Sequence, residues 1–181
     1  RSPAAARTIA AQFEIPYRAC LLADGRLLGE NVRALADPSL LQRMYRMMLR
    51  ARIFDAKAVN LQRTGKLGTY PSCLGQEATH VAVGAAMHAE DVLFTVYREI
   101  GTKFWRGVDM YRVLLYWGGD ERGTIYEHSA QDFPFCVPIG SQMPQAAGAA
   151  MAMKIRGEPR CVLAFIGDGG TSQGAFYEAI H

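Results

Sequence analysis

The sequence predicts an α/β domain, a parallel sheet with helices on both faces, over residues 37–181. Three observations carry that prediction. Apolar side chains recur at three- and four-residue steps from Leu40 to Leu61, the period of one helix face. Asp91 to Thr95 is a short strand candidate set between helical patterns. A helical stretch from Gln142, a turn at Arg156-Gly157-Glu158-Pro159, an unbroken apolar run Cys161 to Ile166 and a glycine-rich segment then follow in the order of a parallel sheet.

Residues 1–36 mix short apolar stretches with turns such as Asp24-Gly25 and Gly29-Glu30, and read as an N-terminal extension over the domain with a short hairpin. Arg1 to Ala10 has no initiator Met, apolar signal core or cleavage pattern, so a preceding segment is expected. Asp37-Pro38 supplies an N-cap and a proline at the first helical position. The stripe Leu40, Leu41, Met44, Met47, Met48, Ala51, Phe54, Ala58 and Leu61 then marks a long helix ending near Thr64-Gly65, its methionines read as core packing.

Gly65 to Gly75 reads as a loop and Gln76 to His88 as a second helix. Tyr97 to Trp105 reads as a third helix, and Asp109 as the cap of a fourth carrying Val113, Leu114 and Trp117. Gly118 to Phe135 has little periodicity and reads as a long irregular segment, of the kind that is often functional. The helix from Gln142 is rich in small residues, Ala146 through Ala150, which let another backbone approach closely. Gly174 to His181 begins a further helix with no stop signal, so the domain is expected to be incomplete at its C-terminus.

Composition narrows the function classes. Half the residues are apolar and a fifth charged, as in ordinary globular domains, and no apolar run reaches the roughly eighteen residues of a membrane helix. The net charge of +3 comes from 20 basic and 17 acidic side chains without a basic tract, which argues against nucleic acid as a partner. Cys20, Cys73, Cys136 and Cys161 have neither disulfide-framework nor metal-ligand spacing and suit a reduced, intracellular protein. His80, His88 and His128 likewise lack ligand spacing and read as surface or packed histidines, His128 being the one to watch.

Three stretches carry chemistry. Gly167-Asp168-Gly169-Gly170 stands at the carboxyl end of the predicted strand, where open α/β sheets bind ligands. Its glycines admit a phosphate to the backbone, Asp168 offers Mg²⁺ a hard oxygen, and Thr171 or Ser172 can cap the next helix. Gly-Asp-Gly also occurs in plain tight turns; its position after the apolar run is what favours a site. Tyr97-Arg98-Glu99 places a phenol and a phosphate-binding guanidinium together, although spacing alone favours Arg98 paired with Glu99. Cys136-Val137-Pro138-Ile139-Gly140-Ser141-Gln142 can hold a ring or a monovalent cation, or can simply start a helix with Ser141 as cap.

Gly167-Asp168-Gly169-Gly170-Thr171-Ser172-Gln173-Gly174-Ala175-Phe176-Tyr177-Glu178 resembles the diphosphate motif of bacterial pyruvate dehydrogenase E1 α subunits. The Arg-Ala-Arg-Ile-Phe-Asp helix around Phe54, Gly65-Lys66-Leu67-Gly68, Gly75-Gln76-Glu77-Ala78, Tyr97-Arg98-Glu99 and Pro138 to Gly148 agree with the family in order and spacing. The likeness runs from about residue 13 to the end. It implies the thiamine-diphosphate-binding fold, here the diphosphate-binding domain over 37–181, and oxidative decarboxylation of a 2-oxo acid with transfer of the acyl group to a lipoyl arm on E2.

The resemblance implies that Asp168 binds Mg²⁺, with Gly167 in the motif and the Gly169 and Gly170 amides near the diphosphate, whose oxygens Tyr97 and Arg98 hold. Val137 and Ile139 would contact the aminopyrimidine and thiazolium, Ile139 supporting the bent cofactor. Cys136, Pro138, Ser141 and Gln142 match a K⁺ site of branched-chain relatives, with Cys136 in place of the usual serine. No catalytic residue is expected on this chain, because the activating glutamate belongs to the β subunit of an α2β2 heterotetramer. The family's second Mg²⁺ ligand, an Asn, and a later histidine-bearing loop lie beyond the residues present, so these residues alone are expected to bind cofactor weakly or not at all. The expected setting is the bacterial cytoplasm. The Gly-Gly-Thr-Ser-Gln-Gly-Ala-Phe-Tyr-Glu run favours pyruvate, whereas Pro-Ile-Gly-Ser-Gln-Met-Pro-Gln-Ala-Ala-Gly looks like branched-chain types; an acetoin dehydrogenase and a non-catalytic partner-binding scaffold are the other readings.

Overall fold

The computed structural model describes residues 9–17, 19–29, 37–127 and 131–181. The chain forms two compact units, Arg1–Leu40 and Leu41–His181. In the first, Leu21 bridges Leu27 antiparallel around a turn where Gly25 takes φ +84°, which is the expected hairpin. Asp24 closes that turn by accepting from the Arg26 amide at 3.0 Å. Asp37 caps the following helix as expected, accepting from the Ser39 amide at 2.9 Å. His128 lies outside the described residues, as do residues 30–36, Glu30 among them.

Helix α1, Pro38–Arg63, buries Ala51, Phe54 and Ala58 of the predicted stripe, while Met44, Met47, Met48 and Leu61 are half-buried and Leu41 is exposed. Phe54 meets the Phe104 ring edge-on at 4.9 Å, in a cluster that includes Ile100, Val113 and Trp117. A buried aromatic side chain of this kind contributes about 1.5–3 kcal/mol. Asp55, on the same face, is also buried. It accepts from Tyr70 Oη at 2.9 Å, Ser72 Oγ at 2.7 Å and the Cys73 amide at 2.8 Å, fixing the loop ahead of α2, Glu77–Ala86.

Glu77 anchors the start of α2 by accepting from Arg52 Nε at 2.5 Å and the Gly75 amide at 3.1 Å. The Arg52 hydrogen bond is the main reason its carboxyl is held down at about 2. A carboxylate lowered by folding stabilises above its unfolded pKa and loses that contribution as pH falls through the folded value. Unfolding free energy is therefore expected to decline between pH about 4.5 and about 2, with a shallower decline in Glu77→Gln. Denaturant titrations across that window check this, and equal slopes in the two proteins contradict it.

Strand β1, Val92–Phe94, pairs in parallel with β2, Val162–Ala164, with Leu93 opposite Leu163. Between them run α3, Ile100–Trp105, α4, Met110–Trp117, a 3-10 turn Glu121–Thr124, and α5, Gln142–Arg156; the 3-10 turn Asp168–Ser172 and α6, Gly174–Ile180, follow β2. Helix α5 packs Ala146, Ala149 and Met153 on Val92, Phe94, Val162 and Ala164. The result is a mixed α/β unit with a small parallel sheet. No described helix is long and apolar enough to cross a membrane.

Several expectations are corrected. The run at 161–166 is a three-residue strand and only half-buried, because among the described residues β1 is its one strand partner. The third helix starts at Ile100 rather than Tyr97, leaving Tyr97-Arg98-Glu99 as a turn. Asp109 precedes α4 without a side-chain capping bond.

The segment taken as irregular contains the 3-10 turn and an extended stretch lying along the free edge of β1. There Asp132 bridges Leu93 in parallel, Phe133 N donates to Leu93 O at 2.8 Å, and Cys136 N donates to Val96 O at 2.9 Å. Arg106 holds this stretch from below, its Nε 2.6 Å from Asp132 Oδ1 with side chains 6% and 0% exposed. Lys103, fully buried, donates to Phe133 O at 2.6 Å, and burial pushes its ammonium down to about 7.

Candidate functional site

Three parallel segments thus deliver their carboxyl ends to one place: β1 into Val96-Tyr97-Arg98, the 131–136 stretch into Val137-Pro138-Ile139, and β2 into Gly167-Asp168-Gly169. A cavity of about 580 Å³ opens there. Tyr97, Arg98, Ile139 and Gly167 through Gly170 line it, so seven predicted site residues from three distant stretches meet. Gln76, just before α2, and the α2 residues Thr79 and His80 also line the cavity, and Gln173 adds a further amide.

Arg98 is exposed with its guanidinium 5.5 Å over the Tyr97 ring, and it forms no ion pair with Glu99. Glu99 is instead buried, accepting from the Val96 amide at 2.8 Å to shape the turn. Burial raises its carboxyl pKa. Arg98 therefore lines the cavity with its charge uncompensated by the residue beside it.

The glycines of the Asp168 turn differ in what they permit. A Cβ at Gly167 or Gly169 would meet nothing within 4 Å, so both leave backbone open to the cavity. A Cβ at Gly170 would lie 2.8 Å from Ile166 Cγ1 and 2.9 Å from Ile139 Cγ2. Gly170 is thus the seat on which Ile139 packs. Gly170→Ala is expected to destabilise by about 1–3 kcal/mol through overpacking and to displace Ile139. Thermal unfolding checks it, and an unchanged midpoint contradicts it.

The Gly170 amide donates to Gly167 O at 2.9 Å, whereas the Gly169 amide has no bond among the described residues. Asp168 is exposed and its side chain is in no described hydrogen bond, while its carbonyl accepts from Thr171 Oγ1 at 2.6 Å. Thr171 therefore braces the turn and does not cap α6, which has no side-chain cap. Among the described residues no group of three or more His, Cys, Asp or Glu gathers as metal ligands. A lone carboxylate beside an anion cradle suits Mg²⁺, which is commonly held by one or two carboxylates together with phosphate oxygens and water. The residues present fit a magnesium diphosphate.

Val137 is 46% exposed, and Ile139 alone of that pair lines the cavity. Cys136 Sγ lies 3.0 Å from Ser141 Oγ, which donates to Pro138 O at 2.7 Å and leaves α5 without a side-chain cap, against the plain helix-entry reading of this stretch. Gln142, fully buried, sends its Nε2 to Phe165 O at 2.6 Å and leaves Oε1 without a partner. Three of the four residues matched to a K⁺ site thus cluster, and the fourth braces the strand that precedes Asp168. The four cysteines are free.

Sequence reasoning missed the α2 wall. Glu77 and Asp55 entered it only as parts of matching stretches, and His80 as a packed or surface histidine. Histidine on an apolar helix face gives no sign of which cavity it borders until α2 and β2 are placed.

The sequence profile of the Dehydrogenase E1 component family matches residues 45–181. The chain is 39% identical over 158 residues to the pyruvate dehydrogenase E1 component subunit alpha of Acholeplasma laidlawii, covering 87% of this chain and 46% of that protein. It is 41% identical over 138 residues to the 3-methyl-2-oxobutanoate dehydrogenase subunit alpha of Mycobacterium tuberculosis, covering 76% and 38%. A Bacillus subtilis pyruvate dehydrogenase E1 component subunit alpha is 35% identical over 157 residues, covering 84% and 42%. The chain spans about half the length of these curated relatives or somewhat less.

Proposed function

The chain belongs to the dehydrogenase E1 component family, and we propose that it is the cofactor-binding part of the α subunit of a thiamine-diphosphate-dependent 2-oxo acid dehydrogenase acting on pyruvate. The observation that carries this reading is the meeting of Tyr97-Arg98, Ile139 and Gly167 through Gly170 around one cavity at the carboxyl ends of three parallel segments. The fold is the diphosphate-binding domain over 37–181, with helices on both sheet faces in the complete protein and residues 1–36 as an extension.

In this reading Asp168 ligates Mg²⁺, and the Gly169 amide, Tyr97 and Arg98 hold diphosphate oxygens, with Gly167 and Gly170 shaping the turn. Ile139, seated on Gly170, would support the cofactor, and Val137, which is not among the residues lining the cavity here, would meet its aminopyrimidine. Cys136, Pro138, Ser141 and Gln142 form the K⁺ position or, without the ion, brace the loop as observed. Thiamine diphosphate supplies the nucleophile and electron sink for decarboxylation, while the protein orients and desolvates it. The partners are a β subunit in an α2β2 assembly, which brings the activating glutamate, and the lipoyl domain of E2; the setting is the bacterial cytoplasm.

Pyruvate is favoured by the Gly-Gly-Thr-Ser-Gln-Gly-Ala-Phe-Tyr-Glu run. The 41% identity to a 3-methyl-2-oxobutanoate dehydrogenase subunit supports a branched-chain acid as the second reading. Co-expression of the full-length chain with its β subunit, followed by CO₂ release from each acid with and without thiamine diphosphate, separates the two. Cofactor-dependent release from pyruvate is the expected result. Release from the branched acid alone overturns the substrate, and release from neither overturns the substrate class.

A further inference from the structure

His80 stands on the α2 wall of the cavity and belongs to none of the stretches assigned to the cofactor above. The residue is 3% exposed, and neither ring nitrogen has a hydrogen bond among the described residues. The ring is held from several sides. It meets the Phe165 ring edge-on at 6.0 Å, and its backbone carbonyl accepts from Thr102 Oγ1 at 2.7 Å. A Cβ on Gly101 would lie 2.9 Å from His80 Cβ, so α3 also backs it tightly.

The two nitrogens are not equivalent. Nδ1 is sealed from solvent without a partner, and Nε2 is not. Orphaned buried N–H groups are rarer than under-satisfied acceptors, which favours the tautomer with a bare Nδ1 and the proton on Nε2. Burial keeps the imidazole neutral by pulling its pKa down to about 4. A neutral N–H donor therefore stands in the wall of the cavity that Arg98 and the Asp168 turn also line.

We propose that His80 Nε2–H donates a hydrogen bond to a diphosphate oxygen of the bound cofactor, making His80 a fourth contributor to the anion cradle. This rests on the cofactor assignment made above. Phosphate contacts of this kind need a fixed donor more than a further charge, because Arg98 and Mg²⁺ already supply charge.

The test compares the full-length protein with its β subunit as wild type, His80→Phe, His80→Gln and His80→Asn. Dissociation constants are measured by calorimetry for thiamine diphosphate with Mg²⁺ and for inorganic pyrophosphate with Mg²⁺. His80→Phe keeps the ring and removes the donor, and is expected to weaken both ligands by about 10- to 100-fold. His80→Gln places an amide near the Nε2 position and is expected to stay within about threefold of wild type; the shorter His80→Asn is not. If His80→Phe fails to assemble, the contrast between Gln and Asn decides.

Unchanged affinity in His80→Phe, or equal losses in Gln and Asn, overturns the proposal while leaving the cofactor assignment intact. Loss for thiamine diphosphate but not pyrophosphate overturns the diphosphate contact. Absence of binding by the wild-type assembly fails the cofactor assignment itself, an outcome no His80 variant can mimic.

Discussion

Asp168→Asn is expected to remove the proposed Mg²⁺-dependent binding of thiamine diphosphate from the assembled protein while leaving its fold intact. Asp168 sits at the carboxyl end of β2 with an exposed carboxylate in no described hydrogen bond, so its replacement leaves no buried donor unsatisfied. Surface changes of this kind alter stability by no more than about 0.5 kcal/mol. The same change takes away the one carboxylate of the cavity turn and leaves a neutral amide, a far poorer ligand for a hard divalent ion. Loss of an outer-shell partner of a metal site costs about 10- to 100-fold in affinity, and loss of the ligand itself should cost at least as much. Equal affinities for wild type and Asp168→Asn, measured by calorimetry with saturating Mg²⁺, contradict the assignment.

Asp55→Ala has the opposite profile, with a large loss of stability and no cofactor group removed. The carboxylate is buried and takes three hydrogen bonds from the 70–73 loop. Burial and the adjacent carboxylate push the Tyr70 phenol well above its ordinary range, so it remains a donor. Removal strands the phenol, the Ser72 hydroxyl and the Cys73 amide, two of them in a dry environment. Breaking a buried charged network costs about 3–5 kcal/mol, which for a unit of this size lowers the thermal midpoint on the order of 10 °C. A midpoint within two or three degrees of wild type, an order-of-magnitude bound from the same scaling, overturns this account of the loop. Because that loop leads directly into Gln76 and α2, cofactor affinity should fall too, but less than in Asp168→Asn.

The parts of the site legible in the sequence are those whose signals are local. Asp168 could be found because glycines and an acid follow an apolar run, and α1 because Ala51, Phe54 and Ala58 keep helical spacing. The 131–136 stretch could not be found that way. Pro134 interrupts its pattern and lacks an N–H, so pairing along β1 runs through the amides of Phe133 and Cys136 and the carbonyl of Gln131. Asp132 reads as surface until Arg106, 26 residues earlier, neutralises it in the interior. Lys103 likewise looks like a solvent-facing helix residue, yet it is fully buried between Phe133 O and the rings of Tyr126 and Phe135. These are long-range compensations of buried charge, and nothing in either residue's own neighbourhood announces them. Arg98 shows the same limit from the other side, since its adjacent acid Glu99 turns inward to the Val96 amide and leaves it free for the cavity.

The cavity at the carboxyl ends of the three parallel segments is proposed to hold thiamine diphosphate through Mg²⁺. Calorimetric titration of the cofactor into the full-length chain assembled with its β subunit, with Mg²⁺ and then with Mg²⁺ chelated, tests it most directly. Saturable binding at one site per α subunit is expected in the presence of Mg²⁺, collapsing when the metal is removed. A well-folded assembly that takes up no cofactor, or binds it equally well without a divalent ion, contradicts it.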